Sequence, residues 1–125
     1  MSARITVVGI GEDGLDALTP PARALVDGAE ILVGGSRLLA MVPEDGRERI
    51  TWSRPLDGFV DQVEARRGRA VCVLATGDPL CFGIGVTLAR RIKAAEMTII
   101  PGISAFSLAC ARLGWPLGEV DTLTL

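Results

Sequence analysis

The sequence predicts an α/β domain built on a mostly parallel open sheet flanked by helices. Three observations carry this. Short apolar runs alternate along the chain with stretches whose apolar residues recur at helical spacing. The runs are apolar at consecutive positions, as in strands covered on both faces. The turns that follow them are marked by glycine, at the strand ends where open α/β sheets keep their ligand crevice.

The first strand is Ile5–Ile10, β-rich and closed by glycine. Thr19 can cap a helix, Pro20 suits its first position, and the helix Ala22–Val26 stops near Gly28. Ala29–Val33 is a second buried strand. Gly34, Gly35 and Ser36 turn the chain, and Ser36 can cap a short helix, Arg37–Met41. A loop from Pro43 to Gly46 leads to a short third strand, Arg49–Trp52. Phe59, Val60 and Val63 then fall on one helical face, with Asp61, Glu64, Arg66 and Arg67 outside it and Gly68 as the stop.

Ala70–Ala75 has the strongest strand pattern in the chain. Ile84–Ala95 reads as a helix with Arg90, Arg91 and Lys93 in its later turns, where cations complement the dipole. Thr98–Ile100 is another strand, stopped by Pro101 and Gly102. Ser104 can cap a helix running to Leu113, and Gly114 ends it. Val120–Leu125 reads as the start of one more strand, so the chain is expected to be part of a longer protein.

Composition narrows the chemistry. At 125 residues the chain is sized for one domain. Hydrophobic residues make up 49% of it, yet no apolar run approaches the roughly 20 residues of a membrane helix. Met1 to Ile5 leads straight into a strand without the features of a signal peptide, so a cytoplasmic location and no membrane partner are expected. Cys72, Cys81 and Cys110 form no CxxC pair and the chain has no His, which argues against a metal site, a disulfide framework and His-based triads. The net charge is -2 with no basic block, so no nucleic-acid partner is expected.

Three turns at strand ends stand out. The first, Gly9-Ile10-Gly11-Glu12-Asp13-Gly14, has the form GxGxxG. A dinucleotide site would need the helix to open within the motif, whereas the helix signal comes later, at Thr19-Pro20. Glu12 and Asp13 would also repel a phosphate. The second, Thr76-Gly77-Asp78-Pro79, sets one carboxylate at the end of a buried strand. It suits a cationic ligand, or else forms an Asx turn with its own backbone. The third, Pro101 to Ala105, feeds a helix through small residues that allow a ligand close to the backbone, or serves only as its cap.

Taken in order, GIGEDGLDALT, LATGDPLCFGIG and PGISAFSLACARLGWP resemble the tetrapyrrole methylases. Within the family, LATGDPLCFGIG and PGISAFSLACARLGWP, supported by the segment ILVGGSRLLA, make the chain similar to the branch that methylates a precorrin at C5 in cobalamin biosynthesis. The resemblance spans nearly the whole chain. It implies the N-terminal domain of a two-domain tetrapyrrole methylase fold, S-adenosylmethionine as cofactor, a tetrapyrrole substrate and a homodimer in the full-length form. It implies cofactor contacts at Glu12, where the family often has proline, and at Thr76, Gly77, Asp78, Cys81 (through its backbone), Ser104 and Ala105. A corrin precursor carries many carboxylates, so Arg37, Arg47, Arg49 and Arg54, in or near loops, are the candidates to face it. No catalytic residue is implied. Methylation of uroporphyrinogen or diphthamide by the same fold, and an inactive isolated half-domain, remain the alternatives.

Overall fold

The alternation of runs becomes a parallel five-stranded sheet in the order β3-β2-β4-β1-β5. A computed structural model of the chain describes residues 4–11, 13–51, 56–66, 68–76, 88, 90, 92, 96–102, 105–114, 116 and 118. The strands are β1 (Arg4–Ile10), β2 (Ile31–Gly34), β3 (Glu48–Thr51), β4 (Ala70–Thr76) and β5 (Met97–Ile100). The helices are α1 (Pro20–Asp27), α2 (Ser36–Leu39), α3 (Leu56–Glu64) and α4 (Ala105–Leu113). A single 3-10 turn, Gly14–Ala17, precedes α1. The expected helix Ile84–Ala95 is described only at Leu88, Arg90 and Ile92, and the expected strand Val120–Leu125 lies outside the described residues.

The period of two along each strand sorts the core into two layers. Ile5, Val7, Val33, Val71 and Val73 face one side, with Val60 and Val63 of α3 and with Leu88 and Ile92. Val8, Ile10, Leu32 and Leu74 face the other, with Ala22 and Val26 of α1 and with Leu38 and Leu39 of α2. The connections therefore change face when they change direction. The chain moves from β1 through β2 to β3 along the α1 and α2 side, then returns to β4 and β5 along the α3 side. One hand serves every crossover, as the right-handed rule for parallel connections requires. The reversal falls between β1 and β4, which are direct neighbours with Ile10 opposite Thr76. A crevice at such a switch point is where open α/β sheets bind ligands.

Several local expectations are refined. Thr19 caps α1 as its sequence predicts, its Oγ1 accepting from Ala22 N–H at 3.4 Å. Ser36 does not cap α2. It is the first helical residue, and Gly35 holds the cap position without a side-chain bond. Gly28 ends α1 at φ -88°, so its worth lies in space rather than in left-handed backbone: a Cβ there would stand 3.1 Å from the Ala24 carbonyl oxygen. The second strand begins two residues later than expected, at Ile31, because Ala29 N–H still bonds back to the Val26 carbonyl. The edge strands also break the doubly covered pattern. In β3 only Ile50 is buried, and no side chain of β5 is fully buried.

Candidate functional site

Sheet order gathers the three marked turns. β1 lies between β4 and β5, with Ile10 paired to Thr76 and Val8 to Ile100. The segments that begin at Gly11, Gly77 and Pro101 therefore leave the carboxyl edge from three adjacent strands. Residues that are more than 60 positions apart in sequence become neighbours because the β1-to-β2 crossover leaves room for β4 to insert.

A pocket of about 390 Å³ opens at this edge, on the α1 side of the sheet. Gly9 at the end of β1, with Gly11, Asp13 and Gly14 just after it, forms one wall. Leu18, Thr19 and Ala22 supply the wall from α1 and the turn before it. Ile100, Pro101 and Gly102 close it after β5, with Leu108 from α4. The volume lies within the range of small-molecule sites, and the lining is mostly apolar with few polar groups, as such sites are. Gly14 has φ +70°, a left-handed conformation that favours glycine. Gly11 has no such need. A Cβ built on it would meet nothing within 4 Å among the described residues, and its φ lies outside the left-handed region. What its missing side chain preserves is open pocket. The 3-10 turn at Gly14–Ala17 stands where a dinucleotide site needs a full helix, and α1 begins only at Pro20.

The residues singled out from the sequence fall into three groups. Thr76 is the exposed last residue of β4, beside Ile10, and Ala105 is the first residue of α4, three before Leu108. Glu12, Gly77, Asp78, Cys81, Ser104 and Arg54 lie outside the described residues. The remaining arginines separate. Arg37 is exposed in α2, just past the carboxyl end of β2, and makes no hydrogen bond or ion pair among the described residues.

Arg47 and Arg49 are engaged by the fold. Arg47 stands at the amino end of β3, where its Nη1 donates to the carbonyls of Val26 at 2.7 Å and Ala29 at 3.0 Å. Arg49 donates from Nη1 to the Leu39 carbonyl at 2.7 Å, and from Nη2 to those of Val42 at 2.9 Å and Pro43 at 2.8 Å. Both guanidinium groups satisfy carbonyls at helix C-termini, where cations are favoured. Asp45 adds an ion pair to Arg47, and the guanidinium holds the Asp45 carboxyl below the ordinary carboxylate value.

Sequence reasoning passed over Asp13 and Leu108. Asp13 was visible only as a charge inside a glycine motif, and Leu108 looks like any core residue of a helix. Thr19 reads as a cap from sequence and is one, yet it also lines the pocket.

Comparison with known proteins gives the site its context. The family model for tetrapyrrole (corrin/porphyrin) methylases matches residues 4–125. A precorrin-6Y C(5,15)-methyltransferase [decarboxylating] from Sinorhizobium sp is 44% identical over 126 residues, which cover 100% of this chain and 30% of that protein. A cobalt-precorrin-7 C(5)-methyltransferase from Salmonella typhimurium is 40% identical over 116 residues, covering 93% of this chain and 58% of that protein. The crystal structure of a precorrin-6Y methylase of cobalamin biosynthesis from Archaeoglobus fulgidus superposes with a TM-score of 0.73 at 33% identity, over 95% of this chain and 62% of that one. The chain thus spans 30% and 58% of the length of these two curated relatives. With the carboxyl ends of β4, β1 and β5 side by side in the sheet and the family model matching from β1 onward, the chain belongs to the tetrapyrrole (corrin/porphyrin) methylases.

Proposed function

We propose that the chain is the N-terminal domain of an S-adenosylmethionine-dependent C-methyltransferase acting at C5 of a precorrin in cobalamin biosynthesis, the activity for which the relatives above are named. The observation that carries this is the pocket at the carboxyl edge, between the ends of β1 and β5, with Gly11 on its wall facing open space among the described residues. The residues present fit such a cofactor: a small-molecule volume, glycine walls that admit close approach, and a carboxylate where a phosphate would be repelled. S-adenosylmethionine, when bound, supplies a methyl group already activated toward a carbon nucleophile. The chain's own residues then need only hold and orient, since placing reactants at contact distance removes much of the entropic barrier.

In this reading the cofactor is held by the three turns, with Glu12, Thr76, Gly77, Asp78, Cys81, Ser104 and Ala105 as contacts. Substrate carboxylates fall to Arg37 and Arg54, because the guanidinium groups of Arg47 and Arg49 are engaged by helix ends. We read the enzyme as cytoplasmic and homodimeric in its full-length form. No helix among the described residues is long and apolar enough to cross a membrane.

The test is methyl transfer from labelled S-adenosylmethionine to precorrin, uroporphyrinogen and diphthamide-intermediate acceptors by the full-length protein. Label on the precorrin alone, at C5, is the expected result; label on another acceptor overturns the substrate assignment. In the same protein, Asp78→Ala should weaken cofactor binding by about two- to tenfold and leave substrate binding nearly unchanged. Equal cofactor affinity for variant and wild type would remove Asp78 from the site.

A further inference from the structure

The pocket's charge balance reaches beyond cofactor identity. Among the described lining residues Asp13 is the one ionisable residue, and the others are neutral. No hydrogen bond or ion pair engages Asp13 among the described residues. Arg23, the cation of α1, is engaged by other carboxylates, 3.8 Å from Asp16 and 3.4 Å from Asp27. A carboxylate left unneutralised on a mostly apolar pocket wall favours whichever ligand carries more positive charge.

We infer that Asp13 makes the site discriminate between the charged methyl donor and its spent product. The sulfonium gives S-adenosylmethionine one positive charge more than S-adenosylhomocysteine, the thioether left once the carbon–sulfur bond has broken and the methyl has gone to carbon. The rest of the two molecules is the same, so neutral walls grip them alike. A fixed negative charge adds a preference for the sulfonium that the thioether cannot share. Transfer of the methyl thereby removes the product's share of the attraction and favours its release. Asp13 is exposed, so water screens the effect, and the expected discrimination is about two- to fivefold.

This inference rests on the cofactor reading above, and the experiment separates the two. Titration calorimetry on the full-length protein gives affinities for S-adenosylmethionine and for S-adenosylhomocysteine, in wild type, Asp13→Asn and Asp13→Glu. The expected result is that Asp13→Asn lowers the donor-to-product affinity ratio about two- to fivefold while Asp13→Glu keeps it. Asp13→Ser, a second neutral variant, should lower the ratio likewise, a readout that holds even if Asp13→Asn fails to fold. Wild-type binding of both compounds with a ratio unmoved by the neutral variants overturns the inference and leaves the cofactor reading standing. Wild-type binding of neither compound overturns both.

Discussion

Arg47 and Arg49 show how a residue's work can be hidden in its neighbours. In the sequence they sit in GRERIT, an alternating charged stretch that reads as solvated loop and strand. In the fold their side chains are mostly buried and their donors meet carbonyls contributed by α1, α2 and the turns that follow. Nothing local announces those partners, which lie up to 21 positions away. Arg49→Met keeps the stem and removes the donors, so it should cost about 1–3 kcal/mol in urea unfolding. Gly34 tests the opposite need, for absence of a side chain. A Cβ there would lie 3.3 Å from the Leu74 Cβ and 3.4 Å from the Leu74 carbonyl oxygen, in the central part of the sheet. Gly34→Ala should therefore destabilise by about 1–2 kcal/mol rather than gain the usual benefit of replacing glycine.

At the scale of elements, legibility follows burial. β1 and β4 are read almost to the residue, because both have covered faces and the apolar run marks their whole length. α3 is equally plain, since Val60 and Val63 are fully buried on one face and Asp61 is exposed. Val63→Ala should lose about 2 kcal/mol by thermal or chemical unfolding, whereas Asp61→Ala should change little. The edge strands were placed less well, β3 beginning one residue early and β5 likewise, because a half-covered strand lacks a continuous apolar signature. The strand order was not legible at all. It depends on which crossover takes which face, and that is decided by packing between segments far apart in the chain. The pocket shares this limit: each turn can be seen in the sequence, but their adjacency comes from β4 entering between β2 and β1.

The whole molecule separates its chemistry by edge. The amino edge carries a web of ion pairs, with Arg66 2.9 Å from Glu48 and Arg69 3.3 Å from Glu30 and 3.5 Å from Glu48. The carboxyl edge carries the glycine turns and the pocket. Three titratable groups, Asp45, Glu48 and Cys72, set two limbs of a stability profile against pH. Arg66 beside Glu48, like Arg47 beside Asp45, holds a carboxyl below its ordinary value of 4.5 or 3.8. Their contribution is present above those values and disappears as pH falls through the lower folded-state ones, a shallow loss because both are exposed. On the alkaline side, burial pushes the Cys72 thiol from 9.0 up to about 11, against smaller opposing effects of Thr6 and Arg47. The unfolded chain releases that proton first, so stability should decline by roughly 2–3 kcal/mol between about pH 9 and 11. Cys72→Val should flatten that decline, and denaturant midpoints measured across the range would show it.

The place of β1 also governs how the chain can assemble as it is made. Among the described strands β1 is the first to leave the ribosome, yet both its partners come late, β4 at residues 70–76 and β5 at residues 97–100. β2 and β3 can pair sooner, being separated by little more than α2 and a loop. At about 5–20 residues per second, the interval before β4 emerges leaves β1 unpaired for several seconds. Throughout that wait Ile5, Val7 and Val8 have no strand to lie against. The strand that anchors the candidate site is thus, among the described strands, the one that waits longest for its partners during synthesis, and a chaperone that grips short apolar segments would find it exposed throughout that wait.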